Sequence, residues 1–471
     1  MFLFAGPVIT VASASEVSPV DSTVTTGSDT ADSETAGSDI DEETQSNDTL
    51  SLPAASAPVA IASAPQSTAP VGRNTSGNLS PPPGAQVNAN LGFFPSLTLS
   101  VSKRNNPTRI NGGEDQDDIS WTIVPVLTYR GLIRDRHVYE LGVSASQESF
   151  DELVNLDNDS YNLNAAIRLD LTEILKLDVF GDTGKGSDKR GGTATRLIPP
   201  DGESDRYDQT RYGGRVTLGR RSNPLQLVFG AEHLDLEFTN NDQGQRDRQD
   251  TRVESGIFFN VSPRTSLFLN AAQTDIDYEQ ESSGIYDSTN TTFNAGIGWD
   301  PSYSTSLLFE AGQIQKDFAD STLEDQDSDS YRGKLTWLPT LFTSFNVYAS
   351  RTFEETTVRD SPVTISDLFG VSLSHAFTSS IRGQAYYNLI DDELVDARLD
   401  EITDYGIGVS YDLNRYLSLG LFWDWTRRES TDPLAAYETD AITLFASIKP
   451  VQVRGFGEPE INTTEDLRGV E

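Results

Sequence analysis

Cysteine is missing from all 471 residues, so neither a disulfide framework nor a thiolate metal site can form. Long apolar runs are missing too. No stretch of 18 or more exists, which excludes a transmembrane helix. It does not exclude a transmembrane β-barrel, whose strands need only ~9–11 residues with one apolar face. Basic charge is scarce: 35 Lys and Arg stand against 72 Asp and Glu, a formal net charge of -37. Such a surface repels polyanions, so nucleic acid is not an expected partner. The histidines are His137, His233 and His375, too dispersed for a metal site or a catalytic triad. No P-loop, G-x-S-x-G or H-E-x-x-H motif occurs. No catalytic residue, cofactor or metal is expected, and the chain does not read as an enzyme.

What is present divides into four parts. Phe2 to Val11 is a short apolar core before Ala12-Ser13-Ala14, a small-x-small cleavage pattern; residues 1–14 read as a truncated signal peptide. Residues 15–90 are rich in Ser, Thr, Ala, Pro and acids, with Arg73 the only basic residue. They cannot bury enough surface to offset ordering entropy, and disorder in the periplasm is expected. Residues 450–471 form a polar periplasmic tail. Between them, 91–449 carry the ordered pattern.

That pattern is a repeat. Phe259, Trp299, Trp337, Leu373 and Tyr411 each precede, by seven places, a serine followed by an apolar residue. A period near 38 residues means one supersecondary unit repeated. Each unit holds two long segments of period-two alternation, the signature of strands with one apolar face. Tyr405, Ile407, Val409, Tyr411 and Leu413 share one face, opposed by Gly406, Gly408, Ser410 and Asp412. Short connections such as "RRSNP" (220–224) and "LPTLF" (338–342) alternate with long ones such as 181–205 and "DDELVDARLDE" (391–401). In "LPTLF", Pro339 and Thr340 are expected to make the turn. The pattern predicts an all-β, antiparallel up-and-down transmembrane barrel of about 18 strands (16–18), both ends on the short-turn side.

Strands of 10–15 residues are too long for a propeller blade and longer than those of most soluble sandwiches. The tryptophans Trp121, Trp299, Trp337, Trp423 and Trp425 fall toward strand ends, as indoles do at membrane interfaces. The expected surroundings are therefore outer-membrane lipid and lipopolysaccharide. The acidic clusters at 112–118 and 324–330 read as solvated loop charge, and "GKGSDKRGG" (184–192) as a mobile loop.

The carboxyl half, "YGIGVSYDLNRYLSLGLFWDWTRRESTDPLAAYETDAITLFASI" (405–448), resembles the β-barrel porin-2 family of bacterial outer-membrane proteins. The hairpin "YRGKLTWLPTLFTSFNVYASRTFEET" (331–356) fits the same pattern. The resemblance covers about 90–449. It implies a role in exopolysaccharide or capsule export beside periplasmic export components, with polysaccharide as cargo. Two alternatives stay open: a general or small-solute porin, and a non-conducting structural or adhesive barrel. The porin needs a long loop folded inward as a constriction, for which 181–205 is the candidate.

The predicted lumen carries the informative chemistry. Arg130, Arg168, Asp170, Lys176, Asp178, Arg211, Arg215, Glu232, Arg252 and Glu254 fall on polar faces. So do Glu310, Arg332, Lys334, Tyr348, Glu354, Arg382, Asp424 and Arg428. Basic residues are concentrated here in an otherwise acidic chain. They either pair across strands or form a ladder that binds carboxylates or sugar hydroxyls weakly and repeatedly, letting a polyanion pass.

Overall fold

The structure, a computed structural model, describes residues 91–450 apart from 114–115, 135, 189, 193–196, 200–201, 221–222 and 357–360. The expected signal peptide, disordered segment and all but the first residue of the tail lie outside the described residues.

Eighteen strands follow one another. They are β1 (Gly92–Asn105), β2 (Asp117–Ile133), β3 (His137–Phe150), β4 (Asn158–Asp170), β5 (Leu175–Ser187) and β6 (Arg206–Leu218). Next come β7 (Leu225–Phe238), β8 (Arg248–Ser262), β9 (Thr265–Tyr278), β10 (Ser288–Ser302), β11 (Thr305–Phe318) and β12 (Gln326–Thr340). The last are β13 (Thr343–Glu354), β14 (Thr364–Ala376), β15 (Ile381–Leu394), β16 (Arg398–Asn414), β17 (Leu417–Ser430) and β18 (Tyr437–Ile448). Each pairs antiparallel with its sequence neighbours, and β1 pairs with β18 from Leu97↔Ile448 to Arg104↔Ala441. The sheet is thus a closed barrel with no free edge, as a membrane requires of a β-structure. β18, on which Leu444, Ala446 and Ile448 alternate with inward residues, is the closing strand. Both barrel ends lie on the short-turn side, since Gly92 pairs with Arg130 and Ile448 with Leu417.

Alternation fixes the two faces. Outward, apolar side chains stand exposed: Leu141, Val143, Phe229, Ile407, Leu421 and Leu444 among them. Inward, Ser102, Thr443, Asn294, Ser410 and Ser447 are buried. The outward apolar band starts at the short turns. On β7 it runs Leu225, Leu227, Phe229, Ala231, then gives way to His233, Asp235 and Glu237. On β11, Leu307, Phe309 and Ala311 precede Gln313, Gln315 and Asp317. Eight residues at ~3.3 Å each, tilted by ~40°, span about 20 Å, close to the ~25 Å apolar band of outer-membrane barrels. Beyond it the strands continue as a polar, largely acidic collar. His233 sits at that boundary on the outward face, bonded to Thr251 (3.0 Å) and beside Tyr212.

Three expectations about connections need correction. Pro339 and Thr340 belong to β12, and the turn is Leu341–Phe342. A register shift between Trp337 and Thr340 absorbs the proline, which has no N–H to give the ladder. The same irregularity recurs at Trp299/Ser302, Asn260/Ser262 and Asp412/Asn414, so the repeat unit carries its own bulge. The 391–401 connection is not long: β15 and β16 stay paired to Leu394↔Arg398, leaving only 395–397. Polar residues there alternate around the strand pair rather than leaving it. Finally, Gly184–Ser187 extend β5 and are not a mobile loop.

Candidate functional site

Every residue predicted to line the lumen sits on the inward register, but few of the charges stand free. Arg130 bonds Glu140, Arg168 bonds Asp178 (2.8 Å), and Lys176 faces Asp170 (3.9 Å). Arg211 grips Asp182 (2.9 Å), and Arg215 reaches Glu254 (2.8 Å), which also faces Arg252 (3.7 Å). Glu232 lies directly across the ladder from Arg252. Arg332 meets Glu310 (3.1 Å), and Arg382 meets Asp412 (3.0 Å). Tyr348 donates to Asn388, and Glu354 is buried at the end of β13. Lys334 is the exposed cation of this wall, between Leu308 and Tyr348 in the ladder. The inward wall is therefore a mosaic of cross-strand ion pairs, with cations and carboxylates in near balance. The negative charge of the chain lies elsewhere.

The tryptophans all face outward. Trp121 is 54 % exposed near the long-loop end and donates to Asp151; Trp299 and Trp337 stand near short turns. Trp425 donates to Glu438 (2.8 Å) and packs with Tyr405. Trp423 lies at the middle of β17 rather than at its end, against the other side of Tyr405's ring environment (5.4 Å).

The long connection after β5 turns inward. Its two ends are clasped together at the barrel mouth, where Arg246 bonds both Asp188 (2.5 Å) and Asp205 (3.1 Å), all three nearly solvent-free. From there Gly191 and Gly192 reach the wall of β17 and β18. The Arg428 guanidinium donates to the Gly191 carbonyl (3.2 Å) and the Gly192 carbonyl (3.3 Å), and the Tyr437 hydroxyl donates to Gly191 (3.1 Å). Arg428 is itself held by Asp400 (2.6 Å), which also takes Arg398 (2.9 Å). Gly191 adopts φ +69°, and a Cβ there would stand 2.6 Å from the Tyr437 ring. The left-handed turn and the close approach both require glycine. So a loop leaving β5 is fastened to strands a third of the way around the barrel. Sequence reading missed Gly191, Tyr437, Asp400 and the Arg246 clasp. Its only signal was the glycine-rich run, which reads equally as a mobile loop.

A second fastening lies at the same, long-loop rim, on another sector of the barrel. Lys316 of β11, fully buried, bonds Glu355 (2.6 Å) just after β13, and Tyr278 donates to the same carboxylate (2.8 Å). Lys316→Ala would leave Glu355 buried without its nearest cation, an expected loss of about 3–5 kcal/mol, read as a lower urea midpoint in lipid vesicles. Burial pushes the Glu355 carboxyl up, but Lys316 and Arg248 outweigh it and hold it below its ordinary value. A lowered carboxyl stabilises the fold above the unfolded-state value of ~4.3 and loses that contribution as pH falls through the lowered one. Urea midpoints should therefore drop on acidification below about pH 4, and less so in Glu355→Gln.

A closed 18-stranded antiparallel barrel with an apolar belt and a polar interior is a membrane-spanning outer-membrane barrel of the porin type. The model of the family described as "Putative beta-barrel porin 2" matches residues 89–449, and the chain belongs to that family. No curated protein matches it. Among solved structures it is similar to OpdK of Pseudomonas aeruginosa, crystallised with vanillate (12% identity, 76% of this chain, 98% of that one, TM-score 0.44). OccAB3 of Acinetobacter baumannii is similar at 10% identity, 76% and 99% coverage and TM-score 0.42. A bacterial polysaccharide outer membrane secretin follows at 10%, 77% and 99%, TM-score 0.34.

Proposed function

We propose that this chain is a small-solute diffusion porin of a bacterial outer membrane, with its long loops outside and its termini in the periplasm. One observation carries the reading: the loop after β5 turns inward at the barrel mouth and is fastened there to β17 and β18 by Arg428 and Tyr437. An anchored inward loop narrows the entrance of a wide barrel. A polysaccharide conduit would have to displace it, so the geometry supports diffusion over polymer export. In this reading the inward residues from Arg130 to Arg428 line the water path, and the outward tryptophans sit at the two interfaces. Transport is passive, with no chemical step.

Purified protein in planar bilayers should give discrete ohmic steps, and liposomes carrying it should swell with monosaccharides but not with long dextrans. Absence of conductance would favour the structural or adhesive alternative, and dextran passage would favour export.

A further inference from the structure

Most inward carboxylates meet a cation: Asp178 meets Arg168, Asp182 meets Arg211, and Glu310 meets Arg332. Asp404 of β16 is different. It accepts from the Tyr386 hydroxyl (3.3 Å), the Thr426 hydroxyl (3.1 Å) and the Asn388 amide (3.4 Å). All three donors are neutral and all three contacts are long for their kind. Among the described residues no Lys or Arg lies in ion-pair contact with it, and its side chain is only half-buried.

The wall around it is aromatic. Tyr386 stacks on Phe422 with centroids 6.0 Å apart and planes at 11°. Both rings crowd Gly406, where a Cβ would stand 2.7 Å from each. Tyr348 covers Gly370 in the same way, its hydroxyl on Asn388. Tyr348, Tyr386 and Asn388, like Asp404, are partly exposed. Asp424 is the diagonal neighbour of Asp404 across β16 and β17.

A carboxylate served only by weak neutral donors, beside tyrosine rings, gains from a cation the Coulomb attraction that its present partners do not supply. An organic ammonium offers both Coulomb attraction and a cation–π contact. A ligand carboxylate would be repelled there. We propose that Asp404, Tyr386 and Tyr348 form a binding site for organic ammonium ions inside the barrel. A resulting preference of the pore for cations rests on the porin reading; the binding itself does not.

The probe is tetramethylammonium, with benzoate as its anionic counterpart. Saturation-transfer NMR on the full chain in detergent should show tetramethylammonium bound and benzoate not. Asp404→Asn, isosteric but neutral and still able to accept from Tyr386 and Thr426 on one oxygen, should weaken binding about tenfold, the scale of one lost close charge–charge contact. Tyr348→Leu, which removes an aromatic ring, should also weaken binding. In bilayers under a KCl gradient, the reversal potential should show cation preference that Asp404→Asn reduces. Equal binding of both probes, or tetramethylammonium binding unchanged in Asp404→Asn, overturns the site. Binding without conductance leaves the site standing and overturns the porin reading instead.

Discussion

Replacing Arg428 with alanine should release the inward loop and raise single-channel conductance. Two charge-assisted hydrogen bonds, to the carbonyls of Gly191 and Gly192, disappear. Each is worth ~1.5–3 kcal/mol, so the seated loop loses a factor of ten or more against unseated ones. The barrel wall itself should survive, because Asp400 keeps its bond to Arg398. The bilayer record should show larger steps, or frequent switching between two levels where wild type shows one. Gly191→Ala tests the same seat from the other side. Its Cβ would enter the Tyr437 ring's space in a left-handed conformation that alone costs ~1–2 kcal/mol. Wild-type conductance in both variants would show that the loop does not control the bore.

Leu444→Arg should cost about 2–4 kcal/mol, against ~0–1 for Gln315→Arg, measured by urea unfolding from lipid vesicles. Both side chains face outward. Leu444 is 59 % exposed at the middle of β18, flanked by Val101 and Leu421, so an arginine there must desolvate in the centre of the apolar belt. Gln315 stands in the polar collar. Equal costs would contradict the position of the belt. Leu419→Arg set against Ser418→Arg would be a poorer test. Leu419 is two residues from the start of β17, at the edge of the belt, and Ser418 already donates to Asp412 (2.6 Å).

Alternation made much of the wall legible. Faces such as Tyr405–Leu413 against Gly406–Asp412 could be assigned residue by residue, because side-chain direction in a strand depends on parity alone. The strand number followed from counting alternating segments between short and long connections. Places where parity does not decide were misread. Pro339 looked like a turn residue and is part of a bulged strand end. The acids of 391–401 looked like a loop and are a paired strand end, with Asp392 and Asp400 buried inward. A run of polar residues has the same composition whether it faces water outside a barrel or partners within it.

The sequence by itself determined that this is a closed transmembrane barrel, which face of each strand meets lipid, and that basic residues gather inside. Those properties are local: each depends on neighbours one or two positions away. Only the tertiary structure decided that the inward charges are mostly paired, that Asp404 has neutral donors, and that Gly191 is seated under Tyr437. The bond from Arg428 to Gly191 joins residues 237 positions apart. Such a contact depends on how the eighteen strands close and where a loop can reach once they have, and no periodicity along the chain encodes it.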